Sequence, residues 1–276
     1  MIDNATTPAK GRLSEDVCAQ LARDLHRASC DRVYVPPITE THPDCDLLSA
    51  YAIASAVNDL KIASGQVVKG HKIGLTSQVT RDLAGGEGPD FGTLFDDMFI
   101  AEESSVSCSR FNAGVAVEIE IAFVLGKSLR GPHVTAVDVM RATDFVLPAI
   151  EIVDRRYSRR GPGPLIVDSV ADGAWCGGVV LGSTPRKLNQ VDVRGVGGTL
   201  TINGQPRAHG VSSAVMGNPV LAVVWLANKL AEFGVAIEEG HIVMSGSFTT
   251  LVRVSAENSI AASFDDFGDV RFHLSP

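Results

Sequence analysis

The segment 115–125, VAVEIEIAFVL, places two carboxylates at alternate positions of an otherwise apolar run. Alternate residues of a strand share a face, so Glu118 and Glu120 stand side by side, roughly 7 Å apart by strand rise. Val115, Val117, Ile119, Ile121 and Phe123 line the opposite face as core, while the glutamates are flanked by Ala116, Ala122 and Val124 rather than by lysines. Like charges on one face repel, and burying them unpaired is costly. A divalent cation removes both penalties, and hard cations such as Mg²⁺ favour oxygen ligands. A solvated face removes them too, so the pair alone leaves both readings open. Glu151 adds a third carboxylate, breaking the run Val146-Leu147-Pro148-Ala149-Ile150 before Ile152-Val153. An isolated acid in such a run must find a partner or stay protonated. That partner is either a cation shared with the glutamate pair or an arginine, Arg155 and Arg156 being near in sequence.

Lys72 is the cation in the best position to work beside such a site. The stretch Val67-Val68-Lys69-Gly70-His71-Lys72-Ile73 is strand-like and runs into Gly74-Leu75-Thr76-Ser77. A lysine ending a strand beside free backbone N–H groups suits a carboxylate or enolate oxygen. Near a metal its pKa is expected to fall, letting it shuttle protons; the plain alternative is a surface lysine. His71 alternates to the opposite face and reads as structural. The loop Gly85-Gly86-Glu87-Gly88-Pro89-Asp90-Phe91-Gly92 lacks the strand-turn-helix frame of a dinucleotide site, and reads as a mobile lid with Asp90 at its base or as turn chemistry. Gly246-Ser247-Phe248-Thr249 follows a strand and reads either as amides and hydroxyls for a substrate carboxylate or as turn chemistry; with Leu75, Ser247 and Phe248 form the candidate substrate-binding set. Arg155, Arg156, Arg159 and Arg160 read either as a grip for a distal carboxylate or as a solvated loop. Asp168 and Asp172 read as turn-shaping residues. There is no G-x-S-x-G elbow and no cysteine–histidine nucleophile signature, which disfavours covalent catalysis.

The elements that must position these groups are legible in part. Ser14 caps a first helix carrying Val17, Leu21 and Leu25 at helical spacing. Residues 31–45, with three prolines, read as a connector. A second helix runs from Asp46 to about Ala63 and is ended by Gly65. Residues 1–65 are thus expected as a helical N-terminal part and 66–276 as the catalytic domain. Beyond residue 66, strands are predicted at 67–73, 115–125, 146–153, 177–181, 198–203, 241–245 and 268–273, spaced irregularly as in a mixed, mostly antiparallel fold. Thr135 and Asp138 predict a capping box. Asn218, Pro219 and Gly234 bracket a buried apolar helix. The class is α+β.

Composition excludes several functions. The chain has 276 residues, a net charge of −8 and 45% hydrophobic residues, so it gains no general attraction to nucleic acid or anionic lipid. Five cysteines without a C-x-x-C make a disulfide framework or zinc cluster improbable and suit a reducing cytoplasm. No membrane span and no signal segment is expected.

Several motifs combine in order: Gly-His-Lys-Ile-Gly-Leu-Thr-Ser at 70–77, Pro-Asp-Phe-Gly at 89–92, Asp-Asp-Met-Phe at 96–99 and Val-Glu-Ile-Glu-Ile-Ala-Phe-Val-Leu at 117–125. Ala-Thr-Asp at 142–144, Pro-Ala-Ile-Glu-Ile-Val-Asp at 148–154, Trp-Leu-Ala-Asn-Lys-Leu at 225–230 and Gly-Ser-Phe-Thr at 246–249 follow. Together they resemble the 2-keto-4-pentenoate hydratase, 2-oxohepta-4-ene-1,7-dioate hydratase and 4-oxalocrotonate decarboxylase family of the fumarylacetoacetate hydrolase superfamily, over almost the whole chain after residue 14. The resemblance implies a fumarylacetoacetate-hydrolase-like mixed β-roll with a small helical N-terminal part. It implies Mg²⁺ or Mn²⁺ on Glu118, Glu120 and Glu151, with Lys72 and Asp90 as catalytic residues. It further implies a homo-oligomer, which a pathway homologue can join, acting late in the meta-cleavage breakdown of aromatic compounds. The seven-carbon dioic subgroup looks closest, from Asp-Asp-Met-Phe and from Gly-Lys-Ser-Leu-Arg-Gly-Pro at 126–132. One departure stands out: the family usually carries Asp-Asn-Ala where this chain has Asp172-Gly173-Ala174, followed by Trp175 and Cys176.

The expected activity is therefore that of a lyase hydrating a small 2-hydroxy-2,4-dienoate or 2-oxo-enoate to a 4-hydroxy-2-oxo acid. Decarboxylation of a 2-oxo-3-enedioate is the alternative using the same enolate chemistry. Hydrolysis of an acylpyruvate would need a histidine–acid pair for which the N-terminal part shows no signal, and a non-catalytic partner subunit is permitted by Gly173 but opposed by the intact Lys72 and glutamates.

Overall fold

The computed structural model describes residues 11–77, 80–82, 88–112, 114–158 and 166–276. The described residues include the helices α1 (Glu15–Asp31), α2 (Ile38–Thr41), α3 (Leu47–Ala63), α4 (Ala136–Ala142), α5 (Ile166–Ala171) and α6 (Pro219–Ala231). Their starts follow the local chemistry. Ser14 accepts from the Val17 N–H, Asp46 from Ser49, and Asn218 from Val220, each satisfying a free amide of a first turn. Thr135 and Asp138 cap each other reciprocally at α4. The connector 31–45 contains the single turn α2, tied down by Asp168, whose carboxylate accepts from the Thr39 N–H at 3.0 Å and hydroxyl at 2.7 Å.

The strands form two sheets. The larger has the order β2 (Asp90–Phe95), β1 (Val68–Gly74), β10 (Ile242–Met244), β5 (Ala116–Leu125), β6 (Thr143–Val153), β7 (Cys176–Leu181), β3 (Phe99–Ile100), with β11 (Val252–Arg253) also on β5. The smaller runs β4 (Ser105–Ser107), β13 (Gly268–Ser275), β12 (Ser259–Phe264), β8 (Gly197–Ile202), β9 (Gln205–Val211). Among the described strands only β1–β10, β3–β7 and β4–β13 pair in parallel, so the fold is mixed and mostly antiparallel, as expected.

The period-2 alternation of β5 decides what lies between the sheets. Val117, Ile119, Ile121 and Phe123 are fully buried and meet Leu200, Ile260, Val270 and Leu274 of the smaller sheet in one continuous core. Helix α6 seals that core with Val220, Ala222, Val223, Leu226, Ala227 and Leu230. The stretch Ser212–Ala231 is long and apolar enough to cross a membrane. It is not one helix: Met216 and Gly217 have φ of 49° and 77°, and Asn218 is extended. A second cluster joins α1 and α3 to Tyr157, Val170 and Ala171, so the N-terminal helices share their apolar faces with residues from the far side of position 65. Phe91 of β2 continues that contact by stacking on Tyr51 with ring centroids 4.8 Å apart.

Candidate active site

The other face of the larger sheet carries the polar groups. The register sets Glu118 of β5 directly opposite Glu151 of β6, with Glu120 opposite Ala149. Two strands away, Lys72 of β1 stands beside Met244 of β10, which in turn pairs with Ala122. One carboxylate oxygen from each of Glu118, Glu120 and Glu151 falls within 4.8 Å of the others. Lys72, 4% exposed, reaches them from the side, with Nζ 3.0 Å from Glu151 Oε1. Asp90 begins β2 rather than lying in a loop, and its carboxylate is buried beside Lys72. Asp90 Oδ2 accepts from Ser169 of α5 at 2.8 Å. The approach is close enough to require Gly74: a Cβ there would stand 2.1 Å from Asp90 Oδ1 and 3.5 Å from Lys72 Nζ.

Burial works against every charge in this group. Burial, reinforced by the facing Glu151, pushes the partly buried Glu118 up to about 7 against the pull of Lys72. The same causes raise Glu120 well above the usual glutamate range, opposed by Lys72 and by the Gly246 amide, which donates to its Oε2 at 2.8 Å. Asp90 is raised by burial despite Lys72 and Ser169. For Lys72 the outcome is the reverse of the depression expected from the sequence. Burial alone would lower it, but Glu151 and then Asp90 outweigh burial and hold it above the ordinary lysine value. The expectation of a low pKa supposes a cation on the carboxylates, which would take from Lys72 the partner that keeps it protonated.

The donor set fits a divalent ion. Glu120 Oε1 and Glu151 Oε2 are buried oxygens with no hydrogen-bond partner among the described residues, and Glu151 Oε1 has only the non-directional ion pair with Lys72. Buried unsatisfied oxygens converging from three acids, two of them opposed across a ladder, are costly unless a cation sits between them. Three carboxylates constitute an all-oxygen set for a hard ion.

The remaining sequence candidates distribute unevenly. Leu75 follows Gly74, is partly buried with φ of 54°, and its carbonyl accepts from Arg81 at 3.1 Å. A non-glycine residue in this left-handed region is strained, which fits a turn shaped for a site. Ser247 uses its hydroxyl within its own turn, donating to the Thr249 carbonyl and accepting from the Thr249 N–H. Phe248 needs correcting as a side-chain contact: its ring packs against Phe264 in the core between the sheets, on the far side of β5 from the glutamates, because the turn rotates it inward. The Gly246 amide serves Glu120 rather than standing free. Asp168 caps α2, and Asp172 is taken by Arg156, whose backbone N–H and Nε donate to its two carboxylate oxygens at 2.9 and 2.5 Å. Arg156 is therefore neither a solvated loop residue nor a free grip. Arg159, Arg160 and residues 85–87 of the expected lid lie outside the described residues. His71 is buried on the opposite face with neither ring nitrogen bonded among the described residues, and burial with His241 lowers it to about 3, in keeping with a structural role.

Two contributors were missed. Ser169 had no signal, being one serine in a helix of six residues. Cys176 was noted only as part of a departure, yet its thiol is buried within electrostatic reach of Glu151. Burial, then Glu151, push this thiol up. Between these two residues Gly173, Ala174 and Trp175 take φ of 62°, 53° and 57°, a left-handed turn whose Gly173 carbonyl abuts Gly92 beside the Lys72 stem. Gly and Asn are the residues that tolerate this conformation best. A Cβ at 173 would meet nothing within 4 Å. Glycine at 173 therefore suits this left-handed turn, and the position has open space for a side chain.

The chain belongs to the fumarylacetoacetate (FAA) hydrolase C-terminal family, which matches residues 64–275. It is 37% identical over 254 residues to a 2-oxo-hept-4-ene-1,7-dioate hydratase of Escherichia coli, covering 91% of this chain and 95% of the relative. It is 40% identical over 223 residues to a 2-hydroxyhexa-2,4-dienoate hydratase of Comamonas testosteroni, covering 80% and 83%. Among solved structures, 4-oxalocrotonate decarboxylase from Pseudomonas putida G7, complexed with magnesium and adipate, superposes with a TM-score of 0.91 at 30% identity over 95% of this chain and 99% of that one. The relatives are thus mainly carbon–oxygen lyases, with a decarboxylase as a close structural neighbour, and the fold is the FAA-hydrolase-like one expected from the sequence.

Proposed function

We propose that the chain is a divalent-metal-dependent hydratase that converts a 2-hydroxy-2,4-dienoate, through its 2-oxo-3-enoate tautomer, into a 4-hydroxy-2-oxo acid, working as a soluble cytoplasmic homo-oligomer. The observation that carries the reading is the convergence of Glu118, Glu120 and Glu151 within 4.8 Å beside a buried Lys72. Those three glutamates would hold Mg²⁺ or Mn²⁺. The bound ion supplies Lewis-acid polarisation at the substrate's carboxylate and 2-oxygen.

The chain's own residues then have defined tasks. Lys72 Nζ is placed to donate to the 2-oxygen and stabilise negative charge developing there. Asp90 Oδ1 has no partner among the described residues, while Oδ2 is fixed by Ser169. A carboxyl raised by burial carries a proton more readily than an exposed one, so Asp90 Oδ1 is suited to pass a proton between Lys72 and the substrate carbon chain. In the tautomerisation the 2-hydroxyl proton leaves and C5 gains one. Water then adds its oxygen at C4 and a proton at C3, so one water is consumed and the C3–C4 π bond gives way to the new C–O and C–H bonds.

Decarboxylation of a 2-oxo-3-enedioate is the second reading, favoured by the fit to the decarboxylase. Metal-stripped protein, resupplied with Mg²⁺, should be given 2-hydroxypenta-2,4-dienoate and, separately, 2-oxohex-3-enedioate. Metal-dependent loss of the dienol without CO₂ is the expected result; CO₂ from the dioate would install the second reading in its place.

A further inference from the structure

The strained turn that follows β1 is held by a residue with no task in the proposed reaction. Arg81 Nη1 donates to the Leu75 carbonyl at 3.1 Å and to the Thr76 carbonyl at 3.0 Å. A trans peptide points its C=O and its N–H in opposite directions. The guanidinium therefore turns the Thr76 and Ser77 N–H groups away from itself. Neither N–H donates to a partner among the described residues. Thr76 is only 3% exposed, and an amide left unpaired at such depth is costly unless a ligand completes it. The turn also stands beside the carboxylate site. Gly74, just before it, lies against Asp90 and Lys72, and the Thr76 side chain fills the space over Gly246, whose amide serves Glu120.

We infer that the Thr76 and Ser77 amides seat the substrate's 1-carboxylate, and that Arg81 is the positioning residue that keeps this seat in shape. The inference rests on the proposed hydratase reading, in which the 2-oxygen and one oxygen of that carboxylate meet the ion. The other carboxylate oxygen then needs donors of its own. Successive backbone N–H groups turned to one side bind anions well, because their partial positive charges add and no side chain has to be ordered. Arg81 itself does not touch the substrate. Its bonds to the two carbonyls polarise the peptide units, which makes their N–H groups stronger donors. The same bonds hold Leu75 at φ of 54°, a conformation a non-glycine residue otherwise tends to leave. The 1-carboxylate keeps its charge throughout the reaction, so this seat acts on substrate binding and is read in KM rather than in kcat.

The test uses the full chain loaded with Mg²⁺, with oxalate as the probe of the carboxylate seat. Hydrogen–deuterium exchange, read by mass spectrometry on the peptide around 74–77, follows the amides in wild-type protein. Saturating oxalate is expected to slow exchange at Thr76 and Ser77 by roughly tenfold or more. Steady-state kinetics with 2-hydroxypenta-2,4-dienoate reads Arg81. In Arg81→Met, KM and the oxalate Kd should rise roughly 10–100-fold, the scale of one charge-assisted hydrogen bond, with kcat within about threefold and Mn²⁺ affinity within about twofold. Arg81→Lys, whose ammonium can still donate to carbonyl oxygens, should recover part of the loss. A lowered Tm with KM unchanged would mark a merely structural arginine and overturn the inference. Exchange at Thr76 and Ser77 that oxalate leaves unaltered would overturn it as well, and that measurement decides even if Arg81→Met fails to fold. Either result leaves the hydratase reading standing. Absence of Mg²⁺-dependent dienol loss in the wild-type protein would overturn both.

Discussion

Two clusters of buried charge among the described residues are built on opposite rules. At Arg156–Asp172 every oxygen of the aspartate is used: backbone N–H and Nε of Arg156 take the carboxylate, and Nη2 takes the Asp172 carbonyl at 2.7 Å. The pair closes on itself and fixes the strap 154–157 to the left-handed turn 173–175. At Glu118–Glu120–Glu151 the acids face one another, one lysine serves them all, and several oxygens stay unbonded. Closed buried charge holds structure in place, whereas open buried charge marks where something else must bind. The open cluster is destabilising in isolation, and an ion would be needed to reverse that.

Breaking each cluster should therefore have opposite consequences. The largest effect is expected from Glu118→Gln, which removes one of the three proposed ion ligands: kcat/KM should fall by roughly 10³-fold or more, several kcal/mol of lost charge stabilisation at a tenfold rate per 1.36 kcal/mol. Its metal-free thermal stability should hold or rise at pH 8, since a like-charge contact has gone; steady-state kinetics and a thermal melt measure both. Arg156→Met should do the converse. Removing one partner of a buried pair strands the other charge, costing about 3–5 kcal/mol, which denaturant unfolding would measure, while Mn²⁺ affinity in the surviving folded protein should be retained. A smaller effect, roughly tenfold in kcat, is expected for Ser169→Ala, which frees Asp90 Oδ2 without touching the ion's ligands. A shifted acid limb in the pH–rate profile would separate that positioning role from a packing defect.

The same contrast explains what was readable in the sequence. Local chemistry was legible: the caps Ser14, Asp46, Thr135 and Asn218 sit at helix starts, and the alternation of VAVEIEIAFVL sorts core from site without error. Glu118, Glu120, Glu151 and Lys72 were nameable because charge in an apolar run needs a reason. What stayed hidden depends on long-range register. Nothing local says that Glu118 faces Glu151, that Arg156 is spent on Asp172, or that the Phe248 ring turns into the core. Strand β2 was missed because Asp-Phe-Gly-Thr-Leu-Phe mixes turn residues into a short run, and β-propensity gives way to sheet context. Helix α5, only six residues, gave no period to detect, so Ser169 went unnoticed with it.

The central claim is that the glutamate cluster is an open site completed by a divalent ion, and the pH dependence of stability tests it most directly. Glu118 has a folded pKa raised to about 7 above an ordinary value of 4.5. A raised folded pKa contributes stability below pH 4.5 that is lost as the pH rises through 7, so metal-free protein should weaken across that window. Mg²⁺ relieves the repulsion that the ionised carboxylates create, so its stabilisation should be largest above pH 7. Thermal melts of wild-type and Glu118→Gln protein, with and without saturating Mg²⁺, at pH 5.5 and pH 8 measure this. The account predicts a Mg²⁺-induced rise in Tm that is small at pH 5.5, larger at pH 8, and nearly abolished at both by Glu118→Gln. A rise independent of pH and unaffected by the substitution would contradict it.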